Sequence, residues 1–334
     1  MPTPNPWLNQ RVLVTGAGGF IGSHLVQALL AHGAQVRALV KYNSQSHWGH
    51  LETLTHDQRE QCEVHLGSVT DAGHMDKLVR GCQTVFHLAA LGGIPYSYLA
   101  PQHYVQVNID GTLNVLEACL KQGVQRLVHT STSEAYGTAL TTPMDETHPL
   151  QAQSPYAASK IAADKLAESY HLSFGLPVAT IRPFNCYGPR QSARAFIPAM
   201  MAQVLTQPVV LVGNLQPKRD LTFVSDTVAG FLAVGASPQA VGRVLNVGQG
   251  SAVSMAEVLQ TILQLANKPD LPLKQQEERV RPDASEVQHL ECDASAAKAL
   301  LGWSPQVSLP EGLAETLNYV EANLQHYKPS YYGV

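Results

Sequence analysis

The chain has 334 residues, 45% of them hydrophobic and only 14% charged, below the roughly 25% charged residues usual for soluble domains. At ~150 residues per domain this predicts about two domains with ample material for a buried core, which excludes a disordered chain. Twenty-two Lys and Arg against 26 Asp and Glu leave a net charge of −4, without the basic stripe that nucleic-acid phosphates require, so no nucleic-acid partner is expected. Five scattered cysteines (Cys62, Cys82, Cys119, Cys186, Cys292) form no CxxC pair and predict neither a disulfide framework nor a zinc site. Met1–Gln10 holds three prolines and no apolar signal core, and no apolar run approaches the ~18 residues of a membrane span. His47 and His50 stand three apart in polar surroundings and are not read as metal ligands. The expectation is a cytoplasmic protein with no metal and no membrane partner.

Short apolar runs alternate with longer stretches of helical period, the pattern of βαβ units and a parallel sheet. Strands are predicted at 11–15, 35–40, 63–66, 84–88, 126–131 and 178–182, with helices at 20–32, 101–121 and 156–174 between them. Beyond Pro183 the rhythm breaks into shorter pieces richer in Pro, Gly and Gln. A strand at 243–247 is placed back in the sheet, helices are predicted from Ser254 to Ala266 and from Pro310 to Leu324, and a polar loop runs through Pro282. The fold class expected is α/β, a Rossmann-type doubly wound parallel sheet with a smaller C-terminal substrate-binding domain. Residues 1–182, with 220–250 returning to them, make the dinucleotide-binding domain; residues 183–219 and 251–334 make the other.

The first strand runs into Gly16-x-x-Gly19-x-x-Gly22 and then a helix. Glycine is required where the backbone turns tightly and must approach a pyrophosphate, and the helix start offers free N–H groups and a positive dipole end. This order predicts a dinucleotide cofactor. An acidic residue at the end of the second strand would bind the ribose hydroxyls of NAD, but Val40-Lys41-Tyr42-Asn43 stands there instead. Lys41, or Arg37, offers positive charge for the 2′-phosphate of NADP.

Tyr156 and Lys160 are four residues apart on a predicted helix, so both side chains share one face. A free phenol titrates near ~10, and acting as a base near neutrality calls for about 4 kcal/mol of electrostatic help. A neighbouring ammonium ion supplies charge of the right sign.

The glycine turn and the Tyr156–Lys160 pair together resemble the extended short-chain dehydrogenases/reductases that act on nucleotide sugars. The likeness continues through His87-Leu-Ala-Ala90, Asn108-Ile-Asp-Gly-Thr112, Arg182–Pro189, Arg219–Asp226 and Leu301-Gly-Trp-Ser-Pro305, so it spans nearly the whole chain. It implies a seven-stranded parallel sheet, a small sugar-nucleotide domain and a homodimer. Segments 42–49, 94–98, 188–194 and 281–287 are similar to the NAD-dependent 4,6-dehydratases of legionaminic-acid-type pathways, which act on a nucleotide-linked N-acetylglucosamine such as UDP-GlcNAc. That likeness favours NAD and Lys41 favours NADP, so both remain open.

The resemblance implies cofactor contacts from Gly16, Gly19, Phe20, Ile21, Gly22, Ser68, Val69, Leu88, Ala89, Ala90, Tyr156 and Lys160, to which its charge at the end of the second strand adds Lys41. Ser68 stands where many relatives carry Asp, although Asp71 follows. Thr132 matches the family hydroxyl beside the sugar O4. Ser133 and Glu134 occupy positions where epimerases usually have small residues. A carboxylate there suits β-elimination, which must remove the C5 proton and expel the C6 hydroxyl as water; Glu134 or Ser133 protonates the leaving oxygen. Asn185, Arg219 and Arg281 are the expected substrate contacts, the arginines because their forked guanidinium groups match phosphate oxygens. The expected function is conversion of an NDP-N-acetylhexosamine to its 4-keto-6-deoxy form through transient C4 oxidation by NAD or NADP. A nucleotide-sugar 4-epimerase, a uronate decarboxylase and a non-catalytic NADP-sensing protein are the alternatives.

Overall fold

A computed structural model describes residues 5–329; the first four residues of the Met1–Gln10 reading and the end of the 251–334 segment lie outside the described residues. Twelve strands follow in chain order: β1 (Arg11–Thr15), β2 (Gln35–Lys41), β3 (Cys62–Gly67), β4 (Thr84–His87), β5 (Arg126–Thr130), β6 (Val178–Pro183), β7 (Asn185–Tyr187), β8 (Val210–Val212), β9 (Lys218–Phe223), β10 (Val244–Val247), β11 (Ala252–Ser254) and β12 (Leu273–Gln275). Seven of them form one parallel sheet in the order β10-β6-β5-β4-β1-β2-β3. Helices cover both faces, so the middles of the central strands are apolar: Val12, Leu13 and Val14 of β1 and Val85 and Phe86 of β4 have no exposed surface, as strands of a doubly covered parallel sheet require. The strand order reverses between β1 and β4, which opens a crevice at their carboxyl ends, where ligands gather in such sheets.

The helix Pro155–Phe174 has clear local causes. Ser154 caps its start by accepting from the Ala157 N–H at 3.1 Å, Pro155 takes the first helical position, and Gly175 ends it in the left-handed region at φ +69°. Its inward face mixes Ala157, Ala163 and Ala167 with Lys160 and Asp164, all buried. Two ionisable groups thus sit against the sheet where an ordinary amphipathic helix would place aliphatic ones.

The helix expected over 101–121 is present and runs on to Gln122, but its middle is widened: α-helical segments at Pro101–Tyr104 and Gly111–Gln122 flank a π-helical stretch at Val105–Asp110. The widened turn brings Asn108 inward. There its Oδ1 accepts from the Leu91 N–H at 2.7 Å, and its Nδ2 donates to Leu91 O at 3.1 Å and Ser159 Oγ at 2.9 Å. One side chain therefore ties the segment after β4 to the Tyr156 helix. π-Turns of this kind concentrate near functional sites.

The remaining strands form a three-stranded sheet, β11-β9-β7, and a parallel pair, β12-β8. β12 lies within the stretch expected to be a polar loop. Trp303 anchors the closing segment by donating from Nε1 to Asp226 O at 3.0 Å, while Asp226 Oδ2 accepts from the N–H groups of Gln306 and Val307 at 3.0 and 2.9 Å. No helix among the described residues is long and apolar enough to cross a membrane.

Asn108→Ala leaves the half-buried Leu91 N–H and C=O without their side-chain partner, at about 1–3 kcal/mol for each group left unsatisfied. Chemical denaturation should show a loss of about 2–4 kcal/mol by the same reasoning, and a variant as stable as the parent protein would remove Asn108 from this tie.

Candidate active site

The site is built at the carboxyl edge of β1, β4 and β5. At the end of β1, Gly16 adopts φ +71°, and a Cβ there would lie 2.8 Å from the Ala89 N. A Cβ on Gly22 would lie 2.2 Å from Gly16 O, so the first helical turn packs directly on the glycine turn. Gly19 precedes the helix Phe20–Ala31, whose start carries no side-chain cap. Its first N–H groups, those of Phe20 and Ile21 included, are left for an anion. A cradle that any side chain would fill, facing uncapped amides, fits a dinucleotide pyrophosphate.

Around the cradle, Leu88 and Ala89 follow β4 half-buried and Ala90 is exposed. The Ala89 N–H donates to Thr15 Oγ1 at 3.1 Å, which holds this segment against β1. Val69 is buried under Gly111. Ser68 is exposed, with its hydroxyl 2.8 Å from Thr70 Oγ1. Asp71 is committed elsewhere, capping the next helix through the His74 N–H at 2.9 Å. Lys41 stands exposed at the end of β2. Arg37, the other cation considered for a 2′-phosphate, is engaged: its Nε is 2.9 Å from Glu63 and its Nη1 donates to Leu78 O at 2.6 Å.

The segment after β5 carries the candidate reactive groups. Thr132 starts a 3₁₀ turn, Ser133–Tyr136, and its Oγ1 accepts from the Glu134 N–H at 3.3 Å. Ser133 and Glu134 are both buried, Glu134 with 9% of its surface exposed. Tyr156 approaches from the helix, its ring edge-on to Tyr104 at 6.1 Å. Burial pushes the Tyr156 phenol up to about 12; the hydrogen bond with Thr132 works downward, and the charges of Glu134, Tyr104 and Asp164 work upward. The protein alone therefore holds Tyr156 protonated. Lys160 does not reach the phenol oxygen: its Nζ donates to Thr130 O at 2.6 Å. Burial pushes the Lys160 ammonium ion down, and Asp164 opposes that shift.

Across the cleft, Asn185 begins β7 with its Oδ1 buried and unpartnered. Such an atom is costly unless a ligand completes it. Arg219 on β9 is buried and engages two carboxylates, with Nη2 3.1 Å from Glu286 Oε1 and Nε 4.0 Å from Glu134 Oε1. Arg281 Nη1 lies 3.4 Å from the same Glu286 oxygen. Glu286, part of the 281–287 segment but given no role in the sequence reading, is the pivot of this cluster. Alternating charges thus run Glu134, Arg219, Glu286, Arg281. The only signal for Glu286 was its place five residues beyond Arg281.

Comparison with known proteins gives the same frame. The family model described as GDP-mannose 4,6 dehydratase matches residues 13–316. The chain is 34% identical to a UDP-glucose 4-epimerase of Mycolicibacterium smegmatis, covering 92% of this chain and 98% of that protein. It is 32% identical to a dTDP-glucose 4,6-dehydratase of an Actinoplanes species, covering 94% and 98%. The crystal structure of a dTDP-glucose 4,6-dehydratase from Streptomyces venezuelae, solved with NAD bound, superposes with a TM-score of 0.89 at 28% identity over 96% of this chain and 99% of that one. A parallel seven-stranded sheet, a glycine cradle at its switch point and a Tyr–Lys pair beside it converge with these likenesses: the chain belongs to the GDP-mannose 4,6-dehydratase-like family of extended short-chain dehydrogenases/reductases, enzymes of nucleotide-sugar dehydration and epimerisation.

Proposed function

We propose that this enzyme is a nucleotide-sugar 4,6-dehydratase that converts an NDP-N-acetylhexosamine, NDP-GlcNAc first among them, to the 4-keto-6-deoxy sugar. The observation that carries this reading is the buried carboxylate of Glu134, two residues beyond Thr132 and at the same strand end as Tyr156 and Lys160. The narrower likeness of segments 42–49, 94–98, 188–194 and 281–287 to dehydratases of legionaminic-acid-type pathways supports the N-acetylhexosamine. Residues 1–182 with 220–250 are taken to hold the cofactor, and 183–219 with 251–334 the sugar nucleotide.

Gly16, Gly19, Gly22 and the amides of Phe20 and Ile21 would hold the pyrophosphate of NAD or NADP, with Ser68, Val69, Leu88, Ala89 and Ala90 along the dinucleotide. When bound, that group supplies a reversible hydride acceptor and a positive ring beside Tyr156. With its phenol ionised under that positive charge together with Lys160, Tyr156 would receive the C4 hydroxyl proton, and Thr132 would position that oxygen. With C4 at the ketone level the C5 proton becomes acidic, and Glu134 removes it. The electron pair left at C5 forms the C5–C6 double bond as the C6–O bond breaks. Glu134 or Ser133 protonates the departing oxygen, which leaves as water; C6 would then take back the hydride removed from C4, and C5 a proton, which gives the 4-keto-6-deoxy sugar. Asn185, Arg219 and Arg281 grip the phosphate-proximal part of the substrate.

A 4-epimerase would need Tyr156, Lys160 and Thr132 but would leave Glu134 without a task. For a uronate decarboxylase the nearest cation to Glu134 is Arg219, whose charge is already shared between Glu134 and Glu286. A sensing protein without chemistry would have no use for the Tyr156–Lys160 pair.

Incubation with UDP- and GDP-N-acetylglucosamine in D₂O, followed by NMR and mass spectrometry, tests the reading. Loss of one water with deuterium at C5 is expected; a C4 epimer with no exchange at C5 would make the enzyme an epimerase. Glu134→Gln should lower turnover by at least ~10²-fold, the usual contribution of a positioned acid or base, while still binding the nucleotide in a calorimetric titration. Turnover at the parental rate would take Glu134 out of the chemistry. Arg219→Ala should raise KM about tenfold or more, the equivalent of ~1.4 kcal/mol of binding; an unchanged KM assigns Arg219 to the Glu286 ion pair alone. The cofactor is settled by titrating NAD and NADP against protein freed of nucleotide. If Lys41 meets a 2′-phosphate, Lys41→Ala weakens NADP about tenfold and leaves NAD unchanged, whereas equal loss of both makes Lys41 a surface lysine.

A further inference from the structure

Beneath the reactive turn lies a buried cluster that the proposed chemistry does not use. Asp164, one helical turn beyond Lys160 and two beyond Tyr156, is 6% exposed. Its Oδ1 accepts from His129 Nε2 of β5 at 2.9 Å. Its Oδ2 accepts from Ser131 Oγ at 2.5 Å and from Arg182 Nη2 of β6 at 2.9 Å. Arg182 Nε closes the ring by donating to Ser131 Oγ at 3.0 Å, and its guanidinium lies over the Tyr136 ring at 4.5 Å. Ser131 directly precedes Thr132, and Lys160 Nζ holds Thr130 O at 2.6 Å. The backbone that presents Thr132 and Glu134 is thus fixed from the helix side by Lys160 and from below by Asp164.

The charges divide as follows. Lys160 and Arg182 bring two cations into one buried seam. His87 on β4 and His129 on β5 face the same seam, and burial depresses both imidazoles, so they are neutral at physiological pH. His87 is further occupied by Thr15 Oγ1 at 2.8 Å and Thr112 Oγ1 at 3.1 Å. Tyr156 and Tyr136 are protonated, and Glu134 lies toward Arg219 on the cleft side. Asp164 is then the carboxylate that answers both cations. Burial opposes its ionised form, but the His129 hydrogen bond and the charges of Arg182 and Lys160 hold it well below the usual carboxylate range.

Resting on the reading that Tyr156 and Lys160 are the working pair, we propose that Asp164 is a positioning residue for them: it supplies the counter-charge that keeps the Lys160 side chain an ammonium ion and braces the Ser131–Glu134 turn. Asp164→Asn keeps the shape and removes the charge. With lysine labelled by ¹³C at Cε and the Lys160 signal assigned through Lys160→Met, titration should show the Lys160 midpoint falling by about one pH unit or more in Asp164→Asn, as for loss of the opposite charge one helical turn away. Asp164→Glu should recover part of that fall. In the enzymatic assay kcat should drop with KM nearly unchanged, and its alkaline limb should move to lower pH. A folded Asp164→Asn protein with the parental Lys160 midpoint overturns the proposal. If Asp164→Asn does not fold because a cation is stranded, the double variant Lys160→Met/Asp164→Asn should fold; failure of both would assign Asp164 to Arg182 and His129 alone and overturn it equally. The titration needs no substrate, so a parent enzyme inert toward nucleotide sugars would sink the dehydratase reading while the lysine midpoints still decide this one.

Discussion

Burying an ammonium ion against a parallel sheet is the constraint from which most of this site follows. Removing a charge from water costs several kcal/mol unless partners replace the hydration. Lys160 meets that demand with one carbonyl, Thr130 O, and one carboxylate a turn away on its own helix. The carboxylate has demands of its own, and polar residues at the ends of β5 and β6 supply them: His129 in β5, Ser131 just beyond it and Arg182 in β6. The chain continues outward. Tyr136 covers Arg182 and donates to Asn246 Oδ1 at 2.9 Å, and Asn246 Nδ2 donates to Met144 O at 3.1 Å. A single buried lysine thus connects, partner by partner, to polar residues on β5, β6 and β10 and in the loop after the 133–136 turn.

The opposite wall of the cleft solves a different problem. Diphosphate recognition asks for concentrated positive charge, yet two arginines without an anion between them would repel each other. Glu286 separates Arg219 from Arg281 and fixes both guanidinium groups from one carboxylate oxygen. Preorganised donors lose less entropy on binding than mobile ones. The arrangement also puts Arg219 within 4.0 Å of Glu134, so the groups proposed for phosphate recognition and for proton removal touch one another.

Much of the frame was legible because the first half of the chain obeys simple rules. Continuous apolar runs such as Val12–Val14 mark strands, glycine punctuates the turn after β1, and the six strands expected in the first half lie within a residue or so of their places. The π-turn at Val105–Asp110 was invisible, since its cause is the distant pairing of Asn108 with Leu91 and Ser159. Short strands such as β7 and β8 are only three residues long, too brief for periodicity to register. Asp164 was readable in principle: extending the four-residue step from Tyr156 to Lys160 reaches it directly. Glu286 was not, because only tertiary contact reveals which of the acids in Glu277–Glu291 faces the arginines. Arg37 failed for the reason that a strand residue's neighbour decides its availability, and that neighbour is Glu63.

Relatives named as dehydratases and relatives named as epimerases are about equally similar to this chain in sequence and fold, so overall likeness does not separate the two chemistries. Both begin by oxidising C4, and both can use Tyr156, Lys160 and Thr132 for it. They part at the next proton. An epimerase must free the ketone to present its other face, which favours a roomy and chemically inert wall. A dehydratase must place a base against C5 and an acid against the C6 oxygen, which requires an ionisable group at fixed distance from the C4 machinery. Glu134 is buried on a turn anchored by Thr132 and lies beside a guanidinium group. Rotation of the sugar past such a side chain would be obstructed, whereas abstraction of a proton from C5 would be served. The choice between the two reactions thus rests on one carboxylate and on the rigidity of the turn that carries it.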